Sequence, residues 1–246
     1  MLNSRKYQLN FSDRLPQAMY DYKSRERKAK TIVAVLKDFL KSDLRSLSVL
    51  DVGSSTGIMA NYLSKHFERV TGIDIDGTAI RFAKKTFQRA NLDFALCDAM
   101  NFGFQEKMFD VVICTHVYEH VPDADRLMRE IHRVLIPKGI CYFAADNRLN
   151  IIEPHYNLPF LSVMPRTLAH MYIKIASKSD FYHERHLSYW GLKRLVRAFV
   201  KNDYTKKIIE NPLRFHTDYM IQKEKKKRKT QQGLFSRKIN PGTDEE

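Results

Sequence analysis

Two glycines and an aspartate within residues 49–57 (VLDVGSSTG) form the part of this sequence best suited to hold a ligand. Gly53 and Gly57 follow an apolar run and let the backbone approach a bound molecule closely, because they lack a Cβ atom. A dinucleotide-binding turn would have a glycine at the position of Ser55. Asp51 lies just before the turn, where it would repel a pyrophosphate and attract a cation. The segment therefore favours a ligand with ammonium or sulfonium charge over a dinucleotide.

Two further carboxylates follow apolar runs and extend this site. Asp74 comes 21 residues after Gly53, at the end of the second run, where a carboxylate can accept both hydroxyls of a ribose. Asp98 ends the third run and can accept the exocyclic amine of adenine. Asp76 precedes a helical pattern and is expected to cap that helix. Three strand ends in succession thus carry groups that suit a nucleoside.

With these motifs, residues 46–146 resemble the class I S-adenosylmethionine (SAM)-dependent methyltransferases, most closely the group with small-molecule and quinone O-methyltransferases. The resemblance implies SAM as cofactor and transfer of its methyl group. The cofactor-binding residues that it implies are Asp51, Gly53, Ser54, Gly57, Asp74, Ile75, Asp98, Ala99 and Thr115. Ser55 departs from the glycine of many members, at a position that varies in the family.

A second cluster, in residues 115–120 (THVYEH), offers groups for the acceptor side of the reaction. His116, Glu119 and His120 are spaced i, i+3 and i+4 and would share one face if the turn were helical. Each is a candidate to align the acceptor or to remove its proton, and His120 can equally have a structural role. The segment is also similar to the Glu-x-x-Glu-His pattern with which some quinone and small-RNA methyltransferases hold a divalent metal. In that alternative the three residues are ligands, with His155 or His183 as a fourth.

The segment after the fifth apolar run, residues 147–187, interrupts the pattern and is rich in proline, histidine and aromatic residues. An insert at this position borders the acceptor side, which predicts a lid or substrate wall. The candidate substrate-binding residues are His155, Tyr156, Arg166 and His183. The alternative is a helical hairpin over residues 164–177 that packs on the sheet edge with its polar groups exposed.

The elements that must position these residues follow from an alternation of short apolar runs with amphipathic helical patterns. Strands are predicted at residues 47–51, 70–75, 92–97, 109–115, 140–145 and 204–210, and helices at 20–41, 77–90, 122–135 and 188–200. This order predicts an α/β fold: a Rossmann-like, doubly wound, mostly parallel seven-stranded sheet with helices on both faces and an insert after the fifth strand.

Length and charge set the domain organisation. The 246 residues suffice for one main domain, so we expect an N-terminal helical cap (1–45), a SAM-binding domain (46–222) and a basic, flexible tail (223–246). Lys and Arg number 42 against 28 Asp and Glu, a formal charge of +14, which favours contact with an anionic membrane surface or nucleic acid, foremost through the tail. The three cysteines have no metal or redox spacing and are expected to be buried, reduced thiols. No signal peptide or membrane span is recognised, so a cytoplasmic protein is expected.

The resulting hypothesis is a SAM-dependent methyltransferase that acts on a small or carrier-linked acceptor, such as a sugar, a lipid precursor or a quinol. One alternative keeps the chemistry and makes RNA the acceptor, since clustered cations favour phosphates. A second is a non-catalytic protein that retains the SAM fold, and a third is an NAD-dependent oxidoreductase. The three acids at strand ends argue against the non-catalytic protein, and Ser55 argues against the oxidoreductase. The oligomeric state does not follow from the sequence.

Overall fold

The computed structural model describes residues 9–153, 155–179 and 181–219, and its elements alternate along the chain. The N-terminal helices are α1 (Phe11–Arg14), α2 (Pro16–Met19) and α3 (Tyr22–Leu40). The alternating part comprises β1 (Ser48–Val52), α4 (Ile58–Leu63), β2 (Arg69–Asp74), α5 (Gly77–Thr86), β3 (Leu92–Leu96), β4 (Phe109–Thr115), α6 (Ala124–Val134) and β5 (Leu135–Ala144). The C-terminal part comprises β6 (Ile152–Glu153), β7 (Leu158–Pro159), a 3-10 helix (Leu161–Val163), α7 (Arg166–Ile175), α8 (Tyr189–Leu195) and α9 (Thr205–Glu210). The tail predicted at residues 223–246 lies outside the described residues.

The first five strands form one parallel sheet in the order β3-β2-β1-β4-β5. The strand order reverses between β1 and β4, and doubly wound sheets bind their ligands at the carboxyl ends of the strands at such a point. The α/β, Rossmann-like prediction is confirmed. In the part of the chain that the structure describes, however, this sheet has five strands rather than the seven expected.

The prediction of a strand at residues 204–210 is wrong, because this segment contains α9. Asp203 Oδ1 accepts a hydrogen bond from the Thr205 backbone N–H at 2.8 Å, which favours a helical start. The Tyr204 hydroxyl and the Lys207 ammonium both bind the Asp38 carboxylate of α3. These two side chains are three residues apart, and helical geometry brings such pairs onto one face.

The sheet is covered on both faces, as predicted. Val49 points into a core with Ala29 and Ile32 of α3, while the next residue, Leu50, points to the opposite core with Leu127 and Ile131 of α6. All six side chains are almost fully buried, and burial of each of the five valine, isoleucine and leucine side chains stabilises the fold by roughly 1.5–3 kcal/mol. The N-terminal helix α3 thus packs in the same core as the sheet and holds its position over the first strands.

Helix capping fixes the ends of the two central helices. The Asp76 carboxylate accepts hydrogen bonds from the N–H groups of Thr78 and Ala79 at the start of α5, which confirms its predicted role as a cap. Asp123 caps α6 in the same way through the N–H of Arg126. These caps set where each helix begins and therefore the length of the loops that carry the functional residues.

The insert has a small core of its own. The hairpin of β6 and β7, the 3-10 helix and α7 pack around Leu158, Leu161, Ala169, Ile173 and Tyr182. The hypothesis of a helical hairpin over residues 164–177 is wrong, because one helix, α7, covers most of that range and its partner is the β-hairpin. The insert is therefore a compact unit built after β5.

The cysteines are free thiols with limited access to solvent. Cys114 is buried, whereas Cys97 and Cys141 are half-buried rather than fully buried. Burial raises the pKa of Cys97 to about 11 and that of Cys141 to about 12, so both stay protonated and weakly reactive at neutral pH. Among the described residues, no helix is both long enough and apolar enough to cross a bilayer.

Candidate functional site

The glycine turn after β1 needs glycine at two positions for two separate reasons. Gly53 and Gly57 have φ angles of +73° and +76°, in the left-handed region. A Cβ on Gly53 would lie 2.5 Å from Cγ2 of Val117, and one on Gly57 would lie 2.6 Å from Cζ of Phe94. Ser55 adopts φ +51° and so tolerates the backbone conformation that glycine would otherwise supply. The turn thus forms a tight cradle, and it lies at the carboxyl end of β1.

The turn is joined directly to the carboxylate of Asp74. The N–H groups of Gly53 and Ser54 donate to the Ile73 carbonyl, at 2.8 and 2.9 Å. The N–H of Ser55 donates to Oδ2 of Asp74 at 2.7 Å, and the N–H of Asp76 donates to Oδ1 at 2.9 Å. Each carboxylate oxygen has a further lone pair, so Asp74 can still accept hydrogen bonds from a ligand. Burial raises its pKa, which these backbone donors oppose.

Asp51 is the most unusual carboxylate at these strand ends. Its side chain is buried, and Oδ2 has no hydrogen-bond partner among the described residues. Burial raises its pKa to about 7, against the opposing effect of the Arg25 guanidinium. A buried carboxylate in this state is stabilised by any ligand that brings positive charge. The geometry therefore fits the cationic ligand that the sequence indicates.

The remaining predicted cofactor residues occupy the expected strand ends. Oδ1 of Asp98 accepts a hydrogen bond from the N–H of Met100 at 2.8 Å, and the segment forms a bridge with Asn101. Thr115 is the last residue of β4. The other members are placed as follows: Ile75 comes directly after β2, Ala99 lies in the turn after β3, and Ser54 is buried in the glycine turn.

The N-terminal segment closes over the glycine turn, which the sequence did not reveal. The carbonyl of Met19 accepts a hydrogen bond from Oγ1 of Thr56 at 2.7 Å. The N–H of Ser12 donates to Oδ2 of Asp76 at 2.7 Å. Arg25, at the start of α3, lies in the electrostatic field of Asp51 and Asp74. Arg25 stands among many basic residues of α3, so composition alone could not single it out.

On the acceptor side, Glu119 interacts with both His116 and His120, but the three residues do not lie in a helix. His116 has φ +53°, which breaks helical geometry, and residues 118–120 form a turn. Nδ1 of His116 lies 3.2 Å from Oδ2 of Asp146 and 3.7 Å from Oε1 of Glu119. Burial lowers the pKa of His116, but the hydrogen bonds to Asp146 and Glu119 outweigh it and raise the pKa to about 9. His116 is therefore an imidazolium at neutral pH.

His120 has the opposite electrostatic character. Burial dominates, only partly offset by Glu119, and lowers its pKa to about 4. Nδ1 of His120 lies 3.8 Å from Oε1 of Glu184, a residue of the insert. The ring of His120 is thus neutral at pH 7, next to two carboxylates that would stabilise its protonated form.

The insert places a second cluster against this turn, around the fully buried Glu153. Oε1 of Glu153 lies 2.8 Å from Nδ1 of His155 and 3.1 Å from Nε2 of His186. Oε2 accepts hydrogen bonds from the N–H groups of His155 and Tyr156, both at 2.8 Å. Burial raises the pKa of Glu153, but the two histidines outweigh it and lower the pKa to about 2. Glu153 and His186 were not among the predicted site residues, because their contact joins positions 33 residues apart, which local sequence patterns do not indicate.

The two clusters meet at His155. Its ring centre lies 5.0 Å from that of His120, and one ligand atom each from Glu119, His120 and His155 lies within 4.8 Å of the others. These three groups could hold a metal ion; two further sets are Glu153, His155 and His186, and His116, Glu119 and Asp146. The predicted set of His116, Glu119 and His120 is not one of these, because His116 groups with Asp146 instead of His120. Of the two candidates for a fourth ligand, His155 joins Glu119 and His120 as their third member, and His183 lies beside Phe181, with ring centres 4.8 Å apart.

The other two substrate candidates lie in the insert with different surroundings. Tyr156 packs edge-on against Tyr182, and burial, together with the nearby Glu184, raises the pKa of its hydroxyl. Arg166 donates to the backbone carbonyls of Tyr182 and Glu184, at 2.6 and 3.2 Å. These contacts give Arg166 a structural role in closing the insert on itself.

Backbone contacts join the insert to the turn after β4. The Tyr118 hydroxyl donates to the carbonyl of Asp146 at 2.9 Å and accepts from the N–H of Leu187 at 3.1 Å. The N–H of Arg185 donates to the carbonyl of Glu119 at 3.0 Å. The two ends of the insert are therefore fastened to the loop that carries the candidate catalytic residues.

Part of this chain is similar in sequence to known methyltransferases. Residues 50–143 match a family model described as a methyltransferase domain. A ubiquinone biosynthesis O-methyltransferase of Coxiella burnetii is 32% identical over 107 residues, which cover 43% of this chain and 46% of the relative. One from Rickettsia bellii is 31% identical over 152 residues, covering 57% and 60%. The chain thus spans about half the length of the curated relatives it matches.

Solved structures show the same fold. The plantazolicin methyltransferase BpumL, solved with desmethylPZN analogues and SAH, gives a TM-score of 0.55 at 24% identity and covers 76% of this chain and 67% of its own. A putative methyltransferase of Haloferax volcanii, solved in complex with the Trm112 methyltransferase activator, gives 0.53 at 17% identity, with coverage of 78% and 76%. At these identities the likeness establishes the fold.

Proposed function

We propose that this chain, whose residues 50–143 match the methyltransferase-domain family, is a class I SAM-dependent methyltransferase that binds SAM and transfers its methyl group to a small or carrier-linked acceptor. The acceptor group that we favour is a hydroxyl of a sugar, a lipid precursor or a quinol. The names of the curated relatives, which place them in ubiquinone biosynthesis, favour an acceptor of this size over RNA.

The observation that carries the proposal is the buried carboxylate of Asp51 beside the glycine cradle. With a pKa near 7 and an unsatisfied oxygen, it is best satisfied by a cation, and SAM carries two positive centres. Asp74 would bind the ribose hydroxyls, Asp98 the adenine amine, and Arg25 the carboxylate of the methionine part. When bound, SAM supplies an electrophilic methyl group on sulfur.

The acceptor would be aligned by the turn after β4 and by the insert. His120, neutral at pH 7, can accept the proton of an acceptor hydroxyl, and the carboxylates of Glu119 and Glu184 stabilise the imidazolium that results. His116 stays protonated and can donate a hydrogen bond to the acceptor. The insert, through His155 and Tyr156, would exclude water and orient the acceptor.

A metal-assisted version of the same chemistry uses Glu119, His120 and His155 as ligands. Two imidazoles and a carboxylate suit zinc or a similar divalent ion. Nδ1 of His155 bonds to Glu153, and such a bond is what fixes the orientation of a metal-binding histidine. Dialysis against a chelator followed by metal analysis and re-addition of Zn²⁺, Mn²⁺ or Mg²⁺ separates the two versions. Activity that survives removal of bound metal excludes the metal-assisted one.

The experiment that tests the proposal is calorimetric titration of the purified protein with SAM and, separately, with NAD. We expect micromolar SAM binding, about 8 kcal/mol, and no NAD binding. Asp74→Ala should abolish SAM binding, whereas Asp93→Ala, an exposed aspartate on β3, should leave it intact. Circular dichroism of both variants shows whether the fold is retained. Failure of the folded wild-type protein to bind SAM would refute the proposal.

A further inference from the structure

Helix α7 of the insert has one apolar face that is buried and a second that is not. Ala169 and Ile173 are fully buried in the core of the insert. Leu168, Met171 and Ile175 are 49%, 56% and 75% exposed, although they are spaced i, i+3 and i+7 along the same helix. That spacing places them in one stripe on the outside of the helix. Packing among the described residues does not explain a helix with apolar residues on both sides.

The hairpin next to this helix exposes a second set of apolar side chains. Ile151, Ile152 and Phe160 are 67%, 51% and 54% exposed. They lie at one end of the hairpin, where Ile152 pairs with Pro159 and the N–H of Phe160 donates to the carbonyl of Ile151. We call the six residues Leu168, Met171, Ile175, Ile151, Ile152 and Phe160 the outer insert face.

Both sets belong to one packed unit. The hairpin, the 3-10 helix and α7 share a single core, so the hairpin and helix parts of the outer insert face have fixed positions relative to each other. Several exposed apolar side chains on one packed unit are typical of a binding surface, whereas single scattered ones need no explanation.

The exposed charges that the structure describes in the insert are of one sign. Among the described residues of the insert, the exposed charged side chains are Arg148, Lys174, Lys178 and Arg185. Its two described carboxylates, Glu153 and Glu184, are buried and turned to the histidine cluster. The insert therefore presents apolar and cationic groups outward and keeps its described anionic groups inside.

We propose that the outer insert face docks on a lipid bilayer that contains anionic headgroups. A bilayer surface complements both features at once, because it accepts apolar side chains at the headgroup boundary and attracts Lys and Arg to its phosphates. A protein partner would need an apolar surface bordered by carboxylates, and nothing in the described part of the structure favours such a partner. The inner side of the same insert carries His155 and Tyr156, so docking would place the insert between the acceptor side and the membrane surface. That last step rests on the proposed function, whereas docking itself does not.

Vesicle flotation of the full-length protein tests the proposal. Vesicles of phosphatidylcholine alone are compared with vesicles that also contain about a quarter phosphatidylglycerol. The face variant carries Leu168→Gln, Met171→Gln and Ile175→Gln, which keep helix propensity while they remove the apolar stripe. The matched control carries Val200→Gln, Ile209→Gln and Leu213→Gln, three exposed apolar residues outside the insert. All variants keep the basic C-terminal segment.

We expect the wild-type protein and the control to float with the anionic vesicles, and the face variant to lose roughly tenfold in partitioning. The proposal is overturned if the face variant floats as well as the wild-type protein, if no form floats, or if light scattering shows that the face variant loses a dimer that the wild-type protein forms. Titration with SAM on the same samples keeps the two proposals apart: face-dependent flotation by a protein that does not bind SAM would refute the proposed function alone.

Discussion

Oε1 of Glu153 lies 2.8 Å from Nδ1 of His155, and the carboxylate is completely buried. The contact fixes which ring nitrogen of His155 carries the proton. Nε2 is then available to interact with groups between the insert and the turn after β4. Because His186 binds the same oxygen, one carboxylate orients two rings. The acceptor side of the site thus depends on a residue that we place behind the histidines.

Glu153→Gln tests this dependence. The substitution removes the charge that holds both histidines, and breaking a buried pair in this way should cost roughly 3 kcal/mol in the free energy of unfolding at pH 6–7. Since the folded-state pKa is lowered to about 2, the wild-type advantage is complete above the ordinary pKa of glutamate and disappears as the pH falls towards 2. Urea unfolding at several pH values measures it, with the exposed Glu68→Gln as control. Equal stability of both variants would contradict the assignment.

The glycine cradle allows a comparison of two glycines with similar backbone conformation. Gly57 and Gly103 have φ angles of +76° and +68°, but a Cβ at Gly57 would meet Phe94 at 2.6 Å, whereas one at Gly103 would meet nothing within 4 Å. Gly103→Ala should therefore cost only the backbone strain, about 1 kcal/mol, and Gly57→Ala about 3 kcal/mol in total. Thermal unfolding gives the difference, and SAM titration should show weaker binding for Gly57→Ala alone. Similar losses at both sites would mean that space in the cradle is unimportant.

The two halves of the site differ in how far their residues can be predicted from the sequence. Asp51, Gly53, Gly57 and Asp74 lie at strand ends, and strands are recognisable from apolar periodicity, so their placement follows from local sequence. The meeting of Glu119 and His120 with His155 could not be predicted with certainty, because it depends on how residues 147–187 fold back on the sheet. Glu153 was missed for the same reason: its importance comes from His186, 33 residues further along the chain.

The number of strands and the role of Arg25 also depend on contacts that the local sequence does not reveal. The segment at residues 204–210 has a strand-like composition, but its long-range contact with Asp38 stabilises a helix. Arg25 is one of several basic residues in an amphipathic helix, and only the tertiary fold turns it towards Asp51 rather than to solvent. Both cases involve contacts between elements that are distant in sequence, which propensity and periodicity do not encode.

Asp51→Asn should affect stability and cofactor binding in opposite directions. The pKa of Asp51 is raised to about 7, so its destabilising effect is absent below the ordinary pKa of aspartate and grows until the pH exceeds 7. At pH 8 the variant without ligand should be more stable by about 2–4 kcal/mol. SAM affinity of the wild-type protein should rise between pH 6 and 8 with release of a proton, and the variant should lose both effects. Calorimetry in buffers of different ionisation enthalpy detects the proton that is released on binding. A wild-type SAM affinity that does not depend on pH would rule out Asp51 as the cation site.

The pair of His116 and Asp146 gives a prediction that NMR can resolve at one residue. Asp146→Asn keeps the shape of the side chain and the backbone carbonyl that Tyr118 binds, but removes the charge 3.2 Å from Nδ1 of His116. In chelator-treated protein, the pKa of His116 should fall from about 9 towards its ordinary value, while Glu119 retains part of the effect. Because the folded-state pKa is raised, the wild-type advantage in stability is complete below about pH 6 and is lost as the pH rises through 9. Titration of the ring protons of His116 provides the measurement, and an unchanged pKa would show that Glu119, rather than Asp146, holds the imidazolium.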